Sequence, residues 1–222
     1  MTKRNNFIII LCCAAQVILA QRVLLDNGYY RVLYDDSLGI PIRAEWTIEK
    51  RYLGKEKRDA SWAFREDTRL PKPRVTSKCY NGTGFDRGHL CPSADWTASR
   101  PLMKGTFLMS NICPQTPECN RRYWLATEVE CRTLAKRYGW CQVVAAPICY
   151  STAVSNTHSQ DACITFRRSI KKKSERVAAR GSITIPEWFF KCAYDSINHR
   201  FCKWWCINNR IWQQEESETT TH

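Results

Sequence analysis

One stretch limits what this chain can fold into more than any other: "NRRYWLATEVECRTLAKRYG", residues 120–139. It is rich in good helix formers, holds no proline, and ends at Gly139, a residue suited to stopping a helix. The rest of the chain reads differently. "YYRVLYD" (29–35) and "PIRAEWTIEK" (41–50) are rich in β-branched and aromatic residues, and "DSLG" between them has turn composition, which predicts a hairpin. "GTFLMSNI" (105–112) and "CQVVAAPICY" (141–150) predict short strands, and "SITIPEWFFKCAYD" (182–195) a strand or a pair of them. Residues 51–84 are charged and carry prolines, so a long irregular connection is expected there. Strands before and after one long helix imply an α+β fold, an antiparallel β-sheet core flanked by helices. No repeat or linker divides it, so residues 21–212 are expected to form a single domain.

The first twenty residues, "MTKRNNFIIILCCAAQVILA", have the layout of a secretory signal peptide: Lys3 and Arg4, an apolar run, and Ala20 as a cleavage point. The apolar part is too short to span a bilayer comfortably, and no later segment is long and apolar enough to do so. Export to a periplasmic or secreted location is therefore expected. Removing this leader lowers the formal charge from +13 to +11. An excess of cations of that size attracts polyanions, nucleic acid foremost, although a basic surface also serves solubility. Of the 13 cysteines, Cys12 and Cys13 fall in the leader and eleven remain, an odd number. An oxidising compartment makes disulfides the expected state, with pairings that spacing does not reveal. Cys192, His199, Cys202 and Cys206 do not have the spacing of a recognised zinc site. The tail 213–222 is polar and expected to be disordered.

At helical spacing, Asn120, Trp124, Glu128 and Arg132 form one stripe. Alone, its Glu–Arg pair is an ordinary surface pair contributing ~0.3–0.5 kcal/mol. The stripe gains meaning beside "FDRGHLCPSAD" (85–95) and "SNICPQ" (110–115), which supply Arg87, His89 and Asn111. Phosphodiester cleavage needs a base for the attacking water, charge on the phosphorane, and help for the leaving oxygen. A neutral imidazole suits the first task. A hard divalent ion, which favours oxygen ligands such as an Asn carbonyl, suits the others, and arginines add bidentate phosphate contacts.

These segments resemble the DNA/RNA non-specific endonucleases with the ββα-metal (His-Me finger) site. The resemblance rests on "FDRGHLCPSAD", on "FLMSNICPQTPECNRRYW", and on the spacing N-x-x-P-Q-x4-N-x3-W-x3-E. It extends with falling strength from about residue 28 to 195. It implies His89 as the general base and Asn120 as the single direct protein ligand of Mg²⁺, with Mn²⁺ as a substitute ion. Asn111 is then a neighbouring group orienting His89 or its water, and Glu128 holds water around the ion. Arg87 and Arg132 are implied to stabilise the phosphate, Asp86 to be structural, and Gly88 to permit a close backbone approach. DNA and RNA are the implied substrates, engaged through phosphates and cut to 5′-phosphate ends. Two departures, Cys91 after "RGHL" and Ala146 before Pro147, fall outside those positions. Arg65, Arg69 and Arg74 are candidates for a further upstream phosphate contact, each also readable as a surface cation. Trp204, Trp205 and Trp212 read first as packing and second as base-stacking residues. Two other functional classes fit the composition: a catalytically silent nucleic-acid-binding module, and a disulfide-rich interaction protein.

Overall fold

The computed structural model describes residues 22–149 and 183–209. The leader, Cys163, the basic segment 167–181, Trp212 and the tail lie outside the described residues.

The expected hairpin forms between β2 (Tyr30–Asp35) and β3 (Ile40–Glu49), with β1 (Arg22–Asp26) added to its outer side. Asp35 sets the turn: its carboxylate accepts the backbone N–H groups of Ser37 and Leu38, at 3.0 and 3.2 Å. Four more strands follow: β4 (Asp86–His89), β5 (Ile112–Gln115), β6 (Trp140–Ile148) and β7 (Trp188–Tyr194). The last is β8 (Cys202–Asn208), which the Cys- and Trp-rich sequence did not announce. Six of the eight build an antiparallel sheet in the order β1-β2-β3-β6-β7-β8, and β4 pairs with β5 in a separate two-stranded ribbon.

The expected helix is present, with a difference at its start. Cys119–Trp124 forms a π-helical turn, and α2 proper runs over Leu125–Tyr138. A short α1 (Arg100–Gly105) precedes it, started by Ser99, whose side chain accepts from the Leu102 N–H. Gly139, at φ 94°, ends α2 as expected, and its N–H reaches the Ala135 carbonyl at 2.8 Å. The helix packs on β6 and β3. Cys131, Leu134 and Ala135 are buried from its side. Ala44, Trp46 and Ile48 of β3 and Cys141, Val143 and Ala145 of β6 are buried from the sheet, alternating as period-two burial requires.

The segment 105–112 is not the strand its apolar run predicted. It contains the end of α1 and a 3₁₀ turn over Met109–Asn111, and extended pairing begins only at Ile112. Phe107 and Met109 are buried by tertiary packing, which apolar content alone does not distinguish from a strand. Cys79, Cys91, Cys113, Cys119, Cys131, Cys141, Cys192, Cys202 and Cys206 are free thiols, five of them buried. No disulfide therefore joins those residues. Among the described residues, too, no cluster of three or more His, Cys, Asp or Glu is placed to hold a metal, and no helix is long and apolar enough to cross a membrane.

Candidate active site

The ribbon β4–β5 and the π turn bring the two halves of the quoted motifs together. In register, Asp86 faces Gln115 and His89 faces Ile112 across the ribbon. Strand alternation places Arg87 and His89 on one face and Asp86 and Gly88 on the other. Gly88 does allow a close approach, but of a side chain. A Cβ there would sit 2.1 Å from Oε1 and 2.3 Å from Cδ of Gln115, whose side chain is fully buried.

Asp86 ties the strand to the start of the helix. Arg121 donates to both of its oxygens at 2.7 Å, and the Asn120 amide nitrogen donates at 2.9 Å. Burial works against the charge on Asp86, but the hydrogen bonds from Arg121 and Asn120 outweigh it and hold its pKa below the usual value. Because its Nδ2 is committed to Asp86, the Asn120 amide is oriented. Its carbonyl Oδ1 takes no hydrogen bond among the described residues. The π turn, with its wider spacing, offsets Asn120 from the stripe expected at four-residue intervals: Trp124 and Glu128 are buried, whereas Asn120 is half-exposed.

His89 is held from two sides. Its backbone carbonyl accepts from the Trp124 indole N–H at 2.9 Å. Its ring lies against Phe107 and Phe64, with centroids 4.9 and 5.3 Å away. Part of the residue reaches the surface, yet Nε2 is shielded and has no hydrogen-bond partner among the described residues. Burial, assisted by the nearby Arg58 cation, pushes the His89 pKa down to about 3. The imidazole is therefore neutral through the whole physiological range, and burial this strong also makes it a weaker base than a free imidazole.

Arg58 escaped the sequence reading. Its guanidinium lies over Phe107 at 4.6 Å and Phe64 at 5.8 Å, beside His89. Arg87 reaches the same Phe64 ring at 5.9 Å while donating to the Ser77 carbonyl and to Asn81 Oδ1. The three upstream arginines weighed earlier are committed elsewhere. Arg69 pairs with buried Asp67 at 2.7 Å, Arg74 bonds the carbonyls of Leu70 and Thr68, and Arg65 bonds the Lys104 carbonyl.

Asn111 does not touch the imidazole through a hydrogen bond. Its amide brackets Cys91, donating to that carbonyl at 2.8 Å and accepting from that N–H at 3.0 Å, and it donates also to the Thr106 carbonyl. It fixes the backbone just after His89.

Glu128 and Arg132 come together beneath the helix in a buried, charge-balanced cluster with Asp95 and Lys191. Arg132 donates to Asp95 at 2.9 Å, lies 3.9 Å from Glu128, and exposes only 15% of its side chain. Trp46 donates to the other Asp95 oxygen at 2.8 Å. Burial drives the Glu128 pKa up to about 7, with Asp95 raising it further and Lys191 and Arg132 opposing. Lys191, wholly buried on β7, was not singled out from sequence either; burial lowers its pKa.

Glu128 should therefore leave a mark on stability. A carboxyl raised from 4.5 to about 7 on folding contributes stability that is intact below pH 4.5 and is lost as pH rises through 7. The loss is on the order of 2–3 kcal/mol for a group this buried. His89, lowered from 6.5, acts in the opposite sense below pH 6.5, but it is common to both proteins in a comparison of wild type with Glu128→Gln. Urea unfolding at pH 5 and pH 8 should show the variant gaining on wild type by about that amount between the two. Parallel behaviour of the two proteins would contradict the buried, raised carboxyl.

A two-stranded ribbon ending in a histidine, followed by a helix that presents an asparagine, has the ββα arrangement that the sequence resemblance implied. The comparisons agree with it. A model of the DNA/RNA non-specific endonuclease family matches residues 16–221, and the chain belongs to that family. It is 38% identical over 126 residues to a Nuclease of Nostoc sp., an alignment covering 56% of this chain and 45% of that protein. It is 38% identical over 129 residues to the mitochondrial Endonuclease G of Homo sapiens, covering 58% and 39%. The chain thus spans less than half the length of these curated relatives. The fold is similar to that in a solved EndoG/EndoGI complex, at a TM-score of 0.65 and 20% identity, over 86% of this chain and 76% of that one.

Proposed function

We propose that this chain is an exported endonuclease that hydrolyses phosphodiester bonds of DNA and RNA without sequence preference, using His89 as base and one Mg²⁺ ion. The observation that carries the reading is the pairing of a neutral, anchored imidazole with an Asn120 carbonyl left free by Asp86.

The donor set suits a hard ion that keeps most of its water. Asn120 offers a neutral oxygen, and no cluster of carboxylates, histidines or cysteines among the described residues competes for a softer metal. Asn120 would hold the ion, with water and phosphate oxygens completing its sphere. Bound there, Mg²⁺ would supply positive charge to the phosphate and to the leaving 3′ oxygen.

The chain's own groups do the rest. His89 accepts a proton from the water that attacks phosphorus, the P–O3′ bond breaks, the leaving 3′ oxygen takes a proton from water, and the phosphate stays on the 5′ oxygen of the downstream fragment. Arg87 and Arg58 add cations on the His89 side of the site. Glu128 as the carboxylate orients water near the helix start, and Arg132 holds that carboxylate with Asp95. Contacts to phosphate and not to base edges explain why sugar and sequence need not matter.

The test is cleavage of plasmid DNA and of RNA across a salt series, with the new ends mapped. Both polymers should be cut to 5′-phosphate ends, and affinity should fall steeply with salt because cations carry the binding. A flat salt response, ends bearing 3′-phosphate, or restriction to one polymer would count against the proposal.

A further inference from the structure

Lys191 is the most anomalous group among the described residues. Its side chain is completely buried, and its Nζ has no hydrogen-bond partner among the described residues. An ammonium in that position is costly to bury, and its charge has to be offset by the groups around it. What the ammonium does contact is the face of Trp124, 3.7 Å from the ring centroid. Trp124 is itself fully buried, with the Phe189 ring 5.5 Å away. Its edge is the indole N–H that holds the His89 carbonyl at 2.9 Å.

We propose that Lys191 is a positioning residue for His89 and acts through Trp124. A cation on a desolvated indole face is a strong contact, and it fixes the plane of the ring. It also draws electron density from the ring, which strengthens the N–H as a donor to the His89 carbonyl. Strand β7 of the main sheet is in this way coupled to the separate ribbon that carries the base. Asp95 and Glu128 balance the charge from the surrounding buried space. The proposal rests on the reading of His89 as the base.

The experiment is a double-mutant cycle in the full chain. Lys191→Met should lower kcat by ~10-fold, the worth of a desolvated cation–π contact, while KM for DNA changes less than about twofold; the unfolding temperature falls too, because Asp95 and Glu128 lose a buried counter-charge, so kcat is read on protein shown to be folded. Lys191→Arg, which keeps a cation over the ring, should recover most of the rate. In a His89→Ala background, Lys191→Met should cost nothing further, because the group it positions is gone. Trp124→Phe, which keeps a ring but loses the N–H, should show the same kcat-only defect and the same cancellation, and it serves if Lys191→Met does not fold. Wild-type kcat in folded Lys191→Met, or an equal loss in the His89→Ala background, would overturn the positioning role while leaving the base assignment intact. Near-normal turnover by His89→Ala alone would overturn the base assignment, and this proposal with it.

Discussion

Replacing His89 by alanine should lower the cleavage rate by ~10²–10⁴-fold, the usual contribution of a general base. The magnitude follows from what the substitution removes and what it leaves. The Trp124 N–H bonds the backbone carbonyl of residue 89, not its side chain, so the tie between ribbon and helix survives. Asp86 keeps its bonds to Arg121 and Asn120. The arginines and the free Asn120 oxygen remain, so substrate and ion should still bind while the proton of the attacking water has no acceptor. The loss should therefore fall on kcat and spare KM. A folded variant that cuts at close to the normal rate would remove His89 from the chemistry.

Asn120→Ala is expected to cost on the order of 10²-fold or more in Mg²⁺-supported turnover, since even partners that only orient metal ligands are commonly worth 10–100-fold. Half-saturation should shift to higher Mg²⁺. Asp86 retains both Arg121 contacts in this variant, so the strand-to-helix anchor is weakened and not lost. Asn120→Asp is a harsher change than its size suggests. The native Nδ2 lies 2.9 Å from an Asp86 oxygen, and a carboxylate there would set like charges against each other. A titration in which Asn120→Ala shows wild-type Mg²⁺ dependence would contradict the ligand role.

How much of this was legible beforehand depends on the range of the interactions involved. His89 and Asn120 sit in contiguous motifs whose local geometry, a ribbon and a helix start, follows from nearby residues. The hairpin around Asp35 and the stop at Gly139 were readable for the same reason. Asp86 had been assigned a structural part, and it forms the anchor of the helix start. What stayed hidden was set by distant parts of the chain. Arg58 lies in a run crowded with cations, and only the packing of Phe64 and Phe107 singles it out. The strand around Lys191 alternates, with Phe189, Lys191 and Ala193 buried on one side. That period-two pattern was a usable signal that the lysine points inward, but in an apolar run one lysine reads first as a surface residue. The π turn could not be read from helix propensity, because it arises where the chain passes from β5 into α2. The resemblance implied a phosphate contact for Arg132, and its partner Asp95 lies 37 residues away.

The most direct test of the central claim is cleavage of supercoiled plasmid by the purified chain and by His89→Ala, each with Mg²⁺ and with excess EDTA. The wild-type chain should cut with Mg²⁺ and stop in EDTA, and His89→Ala should bind the plasmid under both conditions yet cut slowly or not at all. Wild-type protein that binds the plasmid but leaves it intact in Mg²⁺, or cleavage that persists in EDTA, would contradict the account.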